Sequence, residues 1–316
     1  MNTSEGKCVS NDAGSGQKLI SFTIPCYGGG STVAAVIGSI GEVMAEREGF
    51  DYEIVCVDDS SPDDELQVVK NLGKENSHIR VVAHARNFGK HAALLTAFRY
   101  SSGDYVVTVD DDGETPIAHL WELIDALEEG YDVAAAKYSE RSVSKLKKLF
   151  SAVNENTTRI LLGKPKGMKF SSFVARKRFV CDYIARYQGP YPSLASATYA
   201  VTHKIKVIEM VSPPRLSGSS GYTFLKGLKS WLAGCTTYST VPLAIARFVG
   251  VFCLALSLIS LIVSLVGGSS LVIPLILFLF GLVFLYLDLL GIYVSRTYMV
   301  ANAMPQQVIR ETFYFD

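Results

Sequence analysis

The chain has 316 residues, 30 Lys+Arg against 30 Asp+Glu, 49% hydrophobic residues and only 19% charged ones. A zero net charge with no basic block excludes the electrostatic footprint of a nucleic-acid binder, which must neutralise several phosphates together. The mean hydropathy of +0.24 is high for a soluble chain, and the apolar excess is concentrated towards the C-terminus.

Residues 1–17, MNTSEGKCVSNDAGSGQ, are polar and rich in Gly, Ser and Asn, with no apolar core of a secretory signal. They read as a disordered tail, and the domain after them is expected in the cytosol. The six cysteines (Cys8, Cys26, Cys56, Cys181, Cys235, Cys253) form no CxxC pair and no regular spacing, which argues for reduced, structural thiols rather than a zinc cage or disulfide framework.

From residue 18 onward, short apolar runs alternate with helical patterns. The segments 19–25, 53–57, 79–83, 105–109 and 133–136 read as strands, and 31–48, 63–76, 90–100 and 117–129 as helices. Such alternation predicts an α/β domain with a mainly parallel sheet covered on both faces. In sheets of that kind ligands gather at the carboxyl ends of the strands. Those ends read Pro25-Cys26-Tyr27-Gly28-Gly29-Gly30, Asp58-Asp59-Ser60-Ser61, Arg86-Asn87-Phe88-Gly89-Lys90 and Asp110-Asp111-Asp112, all polar and suited to phosphate chemistry.

Three consecutive aspartates after an apolar strand repel one another unless a cation or solvent screens them. In extended backbone alternate side chains share a face. Asp110 and Asp112 can therefore grip one ion while Asp111 points elsewhere. Hard carboxylate oxygens suit Mg²⁺ or Mn²⁺ holding a diphosphate; a solvated acidic turn before the helix at 117 is the simpler alternative. Arg86 and Lys90 bring two cations to a helix start, which suits an anion. The Gly28–Gly30 cluster lacks dinucleotide-binding spacing and implies only close backbone approach. His91, without ligand-type partners nearby in sequence, is expected to be structural.

Residues 222–231 place Lys226 and Lys229 among apolar residues at helical spacing, as an amphipathic helix on an anionic membrane surface would; 221–242 is expected to be that juxtamembrane segment. No charged side chain occurs from Phe248 to Leu287, and the run is divided at Gly267-Gly268-Ser269-Ser270. Each half is long enough to cross ~30 Å of hydrocarbon. The expectation is a C-terminal transmembrane helical hairpin, 243–266 and 271–294 within a membrane region 243–294. Lys226, Lys229, Arg247, Arg296 and Arg310 flank it, which places both ends and the tail 295–316 in the cytosol. Asp288 falls near the inner end of the second span, where headgroup anchoring is its expected role.

Together these pieces, with Pro116 after the aspartates and Arg215-Leu216-Ser217-Gly218-Ser219-Ser220-Gly221-Tyr222 before the membrane region, resemble membrane-bound family 2 glycosyltransferases of the polyprenyl-phosphate sugar synthase type, similar to dolichyl-phosphate mannose synthase and undecaprenyl-phosphate glucosyltransferases. The resemblance runs from about residue 18 to 312. It implies a GT-A nucleotide-diphospho-sugar transferase domain at 18–220, in which Pro25, Tyr27 and Asp58 or Asp59 border the base and ribose. Arg86 and Lys90 approach the base or diphosphate, and Asp110 with Asp112 form a DxD metal site that Glu114 can extend. Arg215, Ser220 and Tyr222 would serve lipid or diphosphate groups, with Asp110, Asp112 and Arg215 the catalytic set. The implied reaction moves a sugar, expected to come from a UDP-hexose, with inversion to undecaprenyl phosphate at a bacterial inner membrane for cell-envelope glycan assembly. A tetramer fits the same resemblance. Three glycines replace the usual Asn and acidic residues after Tyr27, Glu114 stands where Gln is usual, Gly221 where Lys is usual, and Ser172 near an Asp that some relatives carry. A saccharide or other lipid acceptor, or a non-catalytic membrane scaffold, are the competing readings.

Overall fold

The computed structural model describes residues 17–138, 171–189, 193–211, 259, 262, 272–302 and 307–315. Residues 1–16, the segment 221–242, nearly all of 243–266, and Arg215, Ser220 and Tyr222 lie outside the described residues.

The elements follow the order β1 (Lys18–Cys26), α1 (Val33–Met44), β2 (Phe50–Asp58), α2 (Glu65–Glu75), β3 (Ile79–His84), α3 (Lys90–Tyr100), β4 (Tyr105–Thr108), α4 (Leu120–Glu128) and β5 (Val133–Tyr138). Then come β6 (Val174–Lys177), α5 (Arg178–Ala185), α6 (Leu194–Val201), β7 (Ile205–Met210), α7 (Val272–Ala301) and β8 (Ile309–Phe313). All nine strands and helices expected up to residue 136 are present within a few residues of their predicted bounds.

One eight-stranded sheet runs β7-β5-β6-β4-β1-β2-β3-β8. Strands β1 to β4 pair in parallel, as the alternating pattern predicts. The sheet as a whole is mixed, because β6 runs antiparallel between β4 and β5, and β8 runs antiparallel along β3. Strand β6 is only four residues, Val-Ala-Arg-Lys, too short to show a period. Its place is set by the two strands it fills between.

In β1, Ile20, Phe22 and Ile24 face the layer of α1 and α4, and all three are fully buried. The opposite face packs Leu94, Leu95 and Phe98 of α3 against Val106 and Val133 and against α5 and α6. Burial on both faces explains why the central strands read as near-continuous apolar runs. With both layers closed, the polar ends of β1, β2, β3 and β4 are gathered at one rim.

Within α7, residues Phe278–Ala301 have mean hydropathy 2.0 and none of that stretch is buried against the protein, so it is long and apolar enough to cross a membrane. Ile276, Phe278, Phe280, Leu285 and Leu287 are exposed, which in water would be a large apolar surface. The helix runs to Ala301, past the expected end at 294 and through Arg296. Among the described residues it is the one such helix; it covers the second expected span, while the first, 243–266, lies almost wholly outside those residues.

After α7 the chain returns to the sheet. Lys70 of α2 sits 3.9 Å from the ring centroid of Phe313 and 3.4 Å from Glu311 Oε2. A Cβ added to Gly73 of α2 would run into the ring of Phe315. Gly→Ala at an open helical site gains up to about 1 kcal/mol, but Gly73→Ala is expected to lower the unfolding midpoint here. In a double-mutant cycle by thermal unfolding, that cost should shrink in a Phe315→Ala background; equal costs in both backgrounds would show that the ring is not the obstacle.

Candidate active site

Pro25, Tyr27, Asp59, Asn87, Lys90 and the three aspartates Asp110, Asp111 and Asp112 line a cleft of ≈ 220 Å³ at the carboxyl ends of β1 to β4. The strand ends that the sequence singles out therefore meet in space. What each residue does there differs.

Asp111 follows β4 in a turn rather than in extended backbone, and it lines the cleft with its two neighbours. Its Oδ2 accepts the Tyr27 N–H at 2.9 Å, and its carbonyl oxygen lies 2.6 Å from the Thr32 hydroxyl. Burial raises its carboxyl to about 7, and the like charges of Glu65 and Asp110 push the same way, whereas the Tyr27 amide opposes them. Glu65, fully buried, accepts the Gly29 N–H at 3.0 Å and the Ser61 hydroxyl at 2.9 Å; Asp63 accepts the Gly30 N–H at 3.0 Å. The close approach implied by the glycines is thus made by the protein's own carboxylates. A Cβ on Gly29 would stand 2.8 Å from Asp111 Oδ2 and 2.9 Å from Glu65 Oε1, leaving no room for a side chain.

Asp58 and Asp59 separate in role. Asp58 is buried and accepts the Ser60 and Ser61 N–H groups at 3.2 Å each, closing a local turn away from the cleft lining. Asp59 lines the cleft, and both its oxygens accept backbone amides from the Arg86–Lys90 segment: Phe88 N–H at 2.9 Å and Gly89 N–H at 2.7 Å. Gly89, at φ 93°, occupies the left-handed region just before α3 begins.

The two cations of that segment part company. Lys90 Nζ lies 2.6 Å from Asp110 Oδ1, across the cleft. Arg86 instead places its guanidinium 4.1 Å from the Phe88 ring centroid and is outside the cleft lining. His91 comes next, at an exposed position on the first turn of α3. Glu114 contributes a backbone N–H to Asp112 Oδ1 at 3.0 Å, and the Asp110 N–H donates to Thr115 Oγ1 at 3.2 Å.

Tyr138, at the end of β5, was not singled out by the sequence. Burial pushes its phenol up to about 12, with the charges of Asp110 and Asp112 adding to the rise and the Ser171 and Ser172 hydroxyls opposing it. Both aspartates thus act on one neighbouring hydroxyl. Two carboxylates in one cleft, Asp110 bonded to Lys90 and Asp112 to the Glu114 amide, form a donor set that fits a hard divalent cation. Among the described residues no group of three His, Cys, Asp or Glu side chains could hold a metal unaided, so an ion at Asp110 and Asp112 would complete its shell with phosphate oxygens and water.

Residues 21–184 match the family described as Glycosyl transferase family 2. The chain belongs to glycosyl transferase family 2. This family 2 transferase is 27% identical over 304 residues to CsbB of Bacillus subtilis (strain 168), covering 93% of this chain and 92% of that protein. It is also 27% identical to the undecaprenyl-phosphate 4-deoxy-4-formamido-L-arabinose transferase of Proteus mirabilis (strain HI4320), covering 92% and 93%. Among solved structures it is similar to glucosyl-3-phosphoglycerate synthase from Mycobacterium tuberculosis in complex with Mn²⁺, UDP-glucose and phosphoglyceric acid. That likeness has a TM-score of 0.52 at 18% identity, over 69% of this chain and 80% of the other, and it is a likeness of fold. The α/β domain of the transferase is of the GT-A kind, with a mixed sheet.

The raised carboxyl of Asp111 gives a signed prediction. In the unfolded chain it titrates near 3.8 and in the native one near 7, so between those values the native state keeps a proton that the unfolded state has lost. Stability therefore falls as pH rises through that window and levels off above it. Asp111→Asn, whose amide oxygen still accepts the Tyr27 N–H, should remove the fall. Thermal unfolding in EDTA should show the variant's advantage growing from about pH 4 to pH 7; a pH-independent difference would contradict the assignment.

Proposed function

We propose that this chain transfers a hexose from a nucleoside diphosphate donor, a UDP-hexose, to undecaprenyl phosphate. The observation that carries the reading is the cleft lined by Asp110, Asp112 and Lys90, with Lys90 on Asp110, at the carboxyl rim of a GT-A sheet. Relatives named for undecaprenyl-phosphate sugar transfer over nearly the whole chain support the acceptor, and the apolar helix α7 supports delivery at a bilayer. The fold neighbour titled with Mn²⁺ and UDP-glucose supports the donor class.

In this reading Tyr27, half exposed at 54%, and Pro25 border the base, with Asp59 and Asn87 on the opposite wall. Asp110 and Asp112 would hold Mg²⁺ or Mn²⁺, with Glu114 supporting Asp112 through its backbone N–H, and the ion would supply charge neutralisation for a departing diphosphate. Lys90 exchanges its Asp110 partner for phosphate oxygens. The acceptor needs little activation, because a phosphomonoester loses its second proton with a pKa of about 6. Its oxygen attacks the anomeric carbon opposite the leaving diphosphate, and one displacement inverts the centre. The residues' task is to align the two substrates and to fix positive charge at the leaving group. Arg215, Ser220 and Tyr222 are assigned to the lipid phosphate, and Arg86 to the outer rim of the donor site. The domain at 18–220 would work on the cytosolic face of a bacterial inner membrane, held by α7 and a second span at 243–266, as a tetramer serving envelope glycan assembly.

Mass spectrometry of lipid products, with undecaprenyl phosphate and a panel of nucleotide sugars, tests this directly. Product formation should depend strictly on the lipid phosphate and stop in EDTA. Asp112→Asn should reduce turnover by at least roughly 100-fold, the scale of losing a charge-stabilising group, without changing the circular dichroism spectrum. Full activity of that variant together with EDTA resistance would defeat the metal assignment, and transfer to a saccharide without the lipid would defeat the acceptor.

A further inference from the structure

We propose that His84 is a positioning residue for the donor site, acting through Asp59 on the loop that presents Lys90. The inference rests on the donor reading of the cleft.

His84 ends β3 and is fully buried. Its Nδ1 lies 2.8 Å from Asp59 Oδ1 and its Nε2 lies 2.9 Å from Thr96 Oγ1 in α3. Facing a carboxylate that already accepts two amide protons, Nδ1 is the donor. Asp59 in turn holds the Phe88 and Gly89 amides, the two residues that precede Lys90. The Phe88 ring stands edge-on to the imidazole with centroids 5.6 Å apart. One side chain therefore touches the carboxylate, the aromatic ring and the helix that together fix the start of α3. Lys90 leaves that start to meet Asp110 at 2.6 Å.

Strand alternation puts His84 on the same face of β3 as Val82, against α3. The ladder between β3 and β8 changes register between Ala83 and His84: Ala83 faces Glu311 and His84 faces Ile309. The extra residue, Arg310, lies in β8, so β3 keeps its alternation through His84. The next residue, Ala85, donates its N–H to Val308 O at 2.8 Å, so the strand after α7 braces the end of β3. A buried imidazole is also a costly choice where an apolar residue would fit, unless its hydrogen bonds are used. Here both ring nitrogens are used, and both lead to the elements that carry the cleft.

Two readouts separate positioning from general stability. In the ligand-free full chain in detergent, His84→Leu should speed hydrogen exchange of the Phe88 and Gly89 amides about 10-fold or more while β1 and β4 amides stay protected, as expected of a local opening. Calorimetry with UDP and Mn²⁺ should show the dissociation constant rising roughly 10-fold, the usual scale for losing an outer supporting partner. His84→Asn, which keeps a donor near Nδ1, should bring both values back to within about threefold of wild type. In turnover assays the donor KM should rise while kcat holds. Unchanged exchange at Phe88 and Gly89 in His84→Leu would overturn the proposal, as would exchange accelerated equally in β1 and β4, or an Asn variant as impaired as Leu. A wild-type chain that binds neither UDP nor GDP would sink the donor reading instead, with the exchange experiment still deciding the role of His84.

Discussion

The rim of this sheet crowds negative charge into a small space, and the way that charge is solvated organises the rest. Asp58, Asp59, Asp63, Glu65 and Asp111 are each held by at least one backbone amide from a tight turn. A carboxylate that accepts such amides is stabilised without a counter-ion. The turns in question are the residue 27–30 loop, the residue 60–61 turn and the residue 88–89 turn, so the acids give these loops their shapes. On the cleft wall Asp110 instead meets Lys90 at 2.6 Å, Asp112 accepts the Glu114 amide, and the charges of both act on Tyr138. The same residue type thus does two jobs: most of these acids shape the walls, and Asp110 pairs with the lysine of the cleft.

This division explains which parts of the molecule can be read from the chain alone. Strands β1 to β4 and helices α1 to α4 come from local periodicity, because each buries a face defined by its own sequence. The location of the site comes from topology, since parallel strands bring the Pro25, Asp58, Arg86 and Asp110 segments to one edge. Individual roles have no such local source. Asp58 and Asp59 are neighbours in sequence with the same chemistry, yet one closes its own turn and the other reaches a loop thirty residues on. Arg86 and Lys90 likewise look equivalent until Phe88 takes the guanidinium of one and Asp110 the ammonium of the other. The contributions of Glu65, Tyr138 and His84 depend on contacts between distant segments. For His84 the partners Asp59 and Thr96 come from segments that no local pattern joins to β3.

Strand β6 shows the same principle at the level of architecture. By running antiparallel between β4 and β5 it sets Tyr138 at the flank of the acidic pair, next to Ser171 and Ser172. One half of the rim comes from parallel strands and the other half from this insertion. Loop sequences on that second side can change with little effect on the first, which is how one scaffold hosts many specificities.

The pairing of β8 along β3 has a consequence for handling the protein. Without β8, strand β3 would present a row of unmet backbone donors and acceptors at the border of the remaining seven strands, and such borders recruit strands from other molecules. Clipping the chain after α7, or fusing a bulky reporter onto Phe315, would uncover that border and invite aggregation even with every cleft residue intact.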